Sequence, residues 1–158
     1  SGNPVRRDSC NPNAQGAPVS IRSSEFGLEW TVESGVVFGE PFSGVEAPNW
    51  FINQSGDFPT SYLITSTDDD TMAATITGGE IILNPVNTAI FQPNQVFDIA
   101  CDVCNTDASP GHVLADGCVI SPVNVTEACI IIDASSGDAL RNFGCATIEP
   151  SDLWTIMT

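Results

Sequence analysis

One histidine, His112, stands in a chain whose four basic residues are all arginines, so the usual general bases are almost absent. A serine triad would have to run through that single imidazole, and no sequence pattern sets a nucleophile beside it. Cys101-Asp102-Val103-Cys104 has the spacing of a dithiol redox motif. It lacks a strand–helix–strand setting and lies among further cysteines, which favours structural bonds. Zinc would need more ligands than one histidine and bonded cysteines leave free. Asp68-Asp69-Asp70 offers hard oxygen donors for calcium, but EF-hand spacing is missing and a solvated turn accounts for the run. The residues therefore assign no catalytic group, no metal and no cofactor.

Twenty acidic residues against four basic ones give a net charge of −16 over 158 residues. A nucleic-acid partner, which needs a basic stripe to follow phosphates, is excluded, and anionic membrane surfaces are disfavoured for the same reason. No apolar run approaches the roughly 18 residues of a spanning helix. Cysteines at Cys10, Cys101, Cys104, Cys118, Cys129 and Cys145 make an even set of six, a load typical of oxidising compartments. Asn53-Gln54-Ser55 and Asn124-Val125-Thr126 are glycosylation sequons. Together these features predict a secreted, extracellular glycoprotein.

The elements that must position any site are short. Residues 1–18, rich in Gly, Pro, Asn and Ser, are expected to form an arm, pinned if Cys10 is bridged. From residue 19 onward, β-prone runs at 28–32, 36–38, 62–65, 80–83 and 129–133 are broken by Gly, Pro, Asn and Asp, and no helical period persists. This pattern predicts an all-β barrel or sandwich.

An internal repeat narrows the choice. Pro48-Asn49-Trp50-Phe51-Ile52, Pro93-Asn94-Gln95-Val96-Phe97-Asp98-Ile99 and Pro150-Ser151-Asp152-Leu153-Trp154-Thr155-Ile156 each set an aromatic two residues before an Ile, so both point to one face of a strand. Upstream of each lies a strand followed by a tight turn, at 28–35, 72–79 and 128–137. One further strand before each unit gives four strands per unit. The sequence thus predicts a β-trefoil with pseudo-threefold symmetry in one domain over 19–158, its three four-stranded repeats lying near 19–55, 60–100 and 111–158. Trp50, Phe97 and Trp154 are expected in its core, and an insertion between Ala100 and Cys118 carries three cysteines. Among the three pairings open to Cys10, Cys101, Cys104 and Cys118, Cys104–Cys118 with Cys10–Cys101 is preferred.

Asn94-Gln95-Val96-Phe97 resembles the Q-x-W signature of the ricin B-type β-trefoil family with Phe in place of Trp, and Asp152-Leu153-Trp154 keeps the Trp and replaces Gln. The resemblance spans about residues 19–158. It implies a disulfide joining the second and third strands of a repeat, which Cys129 and Cys145 would form. It also implies sugar sites built from an Asp, an aromatic platform and a polar pair near the Q-x-W, because a sugar ring stacks on an aromatic face while its hydroxyls need donors and acceptors. The expected Asp positions hold Thr31, Thr75 and Ile131, so no repeat has the full set. The third repeat comes nearest, with Asp133, Phe143 and Asp152. In the second, Asn94 and Gln95 preserve the polar pair, and Asn84 stands at the platform position.

Two partner classes follow: a glycan, bound by a non-catalytic lectin-like module, or a secreted protein. The second class covers a hydrolase inhibitor and an accessory subunit that stabilises a larger secreted enzyme, such as a fungal laccase. No motif marks either form of it.

Overall fold

Alternation along the short strands sets which side chains face inward. In a computed structural model of the chain, which describes residues 9–23, 25–41, 48–54, 61–86, 92–125, 128–132, 140–144 and 152–158, thirteen strands are assigned. They are β1 (Ser20–Ser23), β2 (Leu28–Glu33), β3 (Val36–Pro41), β4 (Trp50–Gln54), β5 (Ser61–Ser66), β6 (Met72–Thr77) and β7 (Glu80–Pro85). The chain continues through β8 (Phe97–Ala100), β9 (Val103–Cys104), β10 (Val113–Pro122), β11 (Ala128–Ile131), β12 (Arg141–Gly144) and β13 (Trp154–Met157). Helical geometry among the described residues is limited to 3₁₀, in one turn at Pro93–Gln95 and at Asp152 just before β13.

Antiparallel ladders join β1 to β13, β13 to β10, β10 to β8, β8 to β5 and β5 to β4. The Val19↔Trp50 bridge, with hydrogen bonds of 2.7 and 3.0 Å, returns β4 to the start of β1 and closes a ring of six strands. Closure removes the unpaired edges that an open sheet would present. The strand pairs β2–β3, β6–β7 and β11–β12 stand off this ring. Single pairings at Val36↔Ile82 and Glu80↔Arg141 tie them to one another, so a wider nine-strand path also closes through β2, β3, β7 and β6. Ser34 and Gly35, both at positive φ, turn β2 into β3 in two residues, as the right-handed twist of a hairpin requires.

The predicted aromatic–Ile pairs all point inward. Trp50 and Ile52, Phe97 and Ile99, and Trp154 and Ile156 are buried, while the residues between them are half-exposed. The Trp50 indole donates to the Trp30 carbonyl at 3.1 Å, and that of Trp154 donates to the Ile130 carbonyl at 3.0 Å, so each ring is tied to a strand off the ring of six. Trp30 meets both indoles edge-on, with centroids 6.0 and 5.5 Å away, an arrangement that aromatic quadrupoles favour. Glu29 is buried beside the half-buried Arg22, 3.9 Å away across the β1–β2 ladder.

Two expectations need correction. The further strand expected at the start of the 111–158 repeat is long: β10 runs on to Pro122 through a bulge beside Gly117, at φ +62°, and takes in Cys118. The disulfides are Cys10–Cys104 and Cys101–Cys118, not Cys104–Cys118 with Cys10–Cys101. Register is the reason. With Val119 opposite Ala100, the next pair along the β8–β10 ladder is Cys118 and Cys101, whereas Cys104 lies opposite Ala115, three residues away from Cys118. Cys10 does face Cys101, but through reciprocal backbone hydrogen bonds of 2.8 Å. Cys129 is also disulfide-bonded; its expected partner Cys145 lies outside the described residues.

The arm, described from Ser9, is laid onto the barrel. Its Ala14 is buried in the core cluster, and the Tyr62 hydroxyl donates to the Pro12 carbonyl at 2.5 Å. Burial pushes the Tyr62 phenol up to about 12, Asp98 adding to the rise and a hydrogen bond with Gln54 opposing it. The folded protein therefore holds this proton more tightly than the unfolded chain, whose phenol titrates near 10. Its contribution to stability is complete below about pH 10 and is lost as pH rises toward 12. Because Tyr62 is the sole tyrosine, tyrosinate absorbance reports on it alone. We expect that absorbance to rise together with loss of structure in an alkaline titration, and Tyr62→Phe to remove the signal and weaken the hold on the arm.

Candidate functional site

Hydrogen bonding decides what each predicted polar residue is free to do. Gln95 ends the 3₁₀ turn that precedes β8 and is 2% exposed. Its amide nitrogen lies 3.1 Å from Thr75 Oγ1, 3.0 Å from the Pro85 carbonyl and 3.4 Å from that of Asn84, so it clamps the β6–β7 hairpin from beneath. Thr75 is itself buried and donates back to the Ala73 carbonyl at 3.0 Å. Asn94, half-buried, reaches the Ile76 carbonyl at 3.5 Å. Asn84 is exposed. The polar pair that resembles the family signature is thus directed into the hairpin, with Asn84 on the outside.

Phe143 lies on β12 with its backbone opposite Cys129, and Arg141 is opposite Ile131. The Phe143 side chain and all of Asp133 are outside the described residues. Asp152 is buried at 8% exposure just before β13. Of the five predicted sugar ligands, the described structure brings Asn94 and Gln95 together against one hairpin and places Asp152 at the base of another strand. Asn53, on β4, and Asn124, in the turn after β10, are both exposed, as the attachment of a glycan requires.

The insertion holds the other group of chemistry-bearing side chains. Asp107 accepts hydrogen bonds from the Ser109 amide at 2.9 Å and from the Ser109 hydroxyl, and its second oxygen lies 3.6 Å from His112 Nε2. Those hydrogen bonds, with a smaller contribution from His112, hold the Asp107 carboxyl below its ordinary range. The order is hydroxyl, carboxylate, imidazole: the serine donates to the carboxylate and not to the histidine, so this is not a nucleophile–base–acid relay. Thr158 locks the loop further, its carbonyl accepting from Gly111 N at 2.7 Å and its amide donating to the His112 carbonyl at 2.9 Å. Sequence reasoning missed this lock and the Tyr62–Pro12 contact. Both join residues far apart in the chain, and only the singleness of Tyr62 and His112 marked them.

Asp69 accepts from the amide of Thr71 at 3.0 Å and from its hydroxyl at 2.5 Å, so the aspartate run forms a turn capped by its own side chain. Among the described residues, no group of three or more His, Cys, Asp or Glu is arranged to hold a metal ion. No helix there is long and apolar enough to cross a membrane.

The closed ring with its tethered hairpins has counterparts among solved structures. A designed threefold-symmetric protein, ThreeFoil, superposes with a TM-score of 0.64 at 13% identity, over 89% of this chain and 97% of the design. The C-half of the earthworm R-type lectin, solved in complex with GalNAc, superposes with a TM-score of 0.59 at 14% identity, over 88% of this chain and 96% of the lectin half. The chain has a β-trefoil fold. A mosquitocidal holotoxin contains a similar trefoil, with a TM-score of 0.69 at 14% identity over 90% of this chain, which spans 17% of the toxin. No family model matches the trefoil sequence, and no curated protein matches it either.

Proposed function

We propose that the chain is a non-catalytic, carbohydrate-binding module of a secreted protein. The observation that carries this reading is the likeness to the earthworm lectin half solved with GalNAc, which extends over nearly the whole of both chains. In this reading residues 19–158 form a single trefoil of three four-stranded repeats, near 19–55, 60–100 and 111–158, related by pseudo-threefold symmetry. The indole contacts support it: Trp50 and Trp154 tie to Trp30 and Ile130 in the same manner, and Phe97 fills the intervening place. The cysteine bonds and the exposed sequon asparagines Asn53 and Asn124 support secretion and glycosylation.

Within the trefoil the ligand is assigned to the third repeat. Phe143 is the proposed platform for a pyranose ring and Asp133 the proposed acceptor of its hydroxyl hydrogen bonds, with Asp152, buried just before β13, as the third member of the set. The internal engagement of Gln95 favours this repeat over the second, where Asn94 and Asn84 remain as a weaker polar pair. A net charge of −16 repels sialylated and sulfated chains, so the sugar is neutral. Metal and cofactor have no part in recognition. Phe143→Ala and Asp133→Asn should each weaken binding of a neutral galactose-type sugar about tenfold or more, a loss of at least about 1.4 kcal/mol, with the thermal midpoint unchanged. Isothermal titration against GalNAc checks it, and unaltered affinity in both variants would remove the site from this repeat.

A further inference from the structure

The two mapped disulfides differ in exposure. Cys101 and Cys118 are wholly buried, whereas Cys10 and Cys104 are both only partly so. Thiol–disulfide exchange needs a thiolate to approach a sulfur along the bond, so exposure sets which bond reacts first. The more accessible one is also the only covalent tie between arm and insertion, across a separation of 94 residues.

The other contacts that hold residues 9–17 are light. Cys10 exchanges two backbone hydrogen bonds with Cys101, and Asn11 Nδ2 donates to the Ile99 carbonyl at 2.8 Å. Tyr62 donates to Pro12, and Gln15 Nε2 reaches the Thr106 carbonyl at 3.1 Å on the exposed side. The buried contribution comes from small residues, Pro12 and Ala14. Fixing the backbone of such a segment costs more entropy than a few partly exposed hydrogen bonds return, so the disulfide, by keeping the ends together, is what makes the arm stay. Beneath it lie Tyr62 and Ile99, both fully buried.

We propose that residues 9–17 are a strap over one end of the barrel which opens when Cys10–Cys104 is reduced while Cys101–Cys118 stays closed. The reductant is a dithiol. One of its thiolates attacks a sulfur of Cys10–Cys104, forming a mixed disulfide, and the other cysteine leaves as a thiolate and takes a proton. The second thiol of the reductant then displaces the remaining cysteine. The protein disulfide has gained two electrons and two protons, and the dithiol has become a cyclic disulfide. The strap lifts, the barrel keeps its own bond, and the Tyr62 hydroxyl becomes open to solvent.

The test exposes the folded full chain to graded dithiothreitol, alkylates with iodoacetamide and maps the labels by mass. The alkylated protein is then nitrated at its single tyrosine with tetranitromethane. Labelling of Cys10 and Cys104 should run about tenfold or more ahead of Cys101 and Cys118, with Tyr62 nitration rising over the same range. Near-ultraviolet circular dichroism should keep the folded signal of the buried tryptophans. A Cys10→Ser, Cys104→Ser variant should nitrate at the fast rate without reductant. Equal labelling of the two bonds would overturn the proposal. So would full labelling of Cys10 and Cys104 in a wild-type chain whose Tyr62 still reacts slowly, a result that needs no variant to fold.

Discussion

Truncating Trp154 to alanine is expected to lower stability by about 3–5 kcal/mol, the range for removing a large buried side chain from a core that cannot collapse around the gap. Trp154 is wholly buried, and β13, which carries it, is paired on both sides, with β1 and with β10. Its ring faces Trp30 at 5.5 Å, and its indole nitrogen satisfies the buried Ile130 carbonyl. Loss of the side chain therefore leaves a cavity, an unmatched carbonyl and a Trp30 ring without one of its two edge contacts. Trp154→Phe separates these effects. It keeps most of the volume and removes the N–H, so it should cost only about 1–3 kcal/mol, the penalty of one buried acceptor left alone. Urea unfolding followed by tryptophan fluorescence gives both values. A cost for Trp154→Ala below that of an ordinary surface substitution would mean that the repeated aromatics do not form the core.

Replacing Gln95 with alanine is expected to cost about 1–3 kcal/mol, because the Thr75 hydroxyl and the Pro85 carbonyl lose the amide that spans them. The effect should appear in the unfolding midpoint and leave sugar affinity untouched. A family-signature polar residue and a buried clamp look alike in sequence, and this pair of measurements tells them apart. If Gln95→Ala binds sugar more than tenfold more weakly while keeping its midpoint, the ligand sits on the second repeat and the assignment to Phe143 is wrong.

What the chain declares in its letters is local. The aromatic–Ile pairs are visible because a strand repeats every two residues and the β4, β8 and β13 segments each obey that period between recognisable turns. The length of β10 is not visible: Gly117 reads as a break, yet it is absorbed as a bulge inside a ten-residue strand. The disulfide pairing fails for a related reason. Which cysteines meet depends on the register between β8 and β10, and no spacing along the chain encodes that. Gln95 shows the same limit on the functional side, since its partners Thr75 and Pro85 arrive through the folding of a hairpin. Polar side chains with short reach are assigned by three-dimensional neighbours, and aromatic ones largely by pattern.

Recognition of a neutral glycan by the trefoil is decided by presenting the labelled wild-type protein to an array of neutral and anionic glycans at low and at high salt. Neutral galactose-type chains should retain the protein to the same extent at both ionic strengths, because stacking and hydroxyl hydrogen bonds are not screened, and anionic chains should retain little of it. Retention by no glycan at either salt, or retention that salt abolishes, would contradict the account.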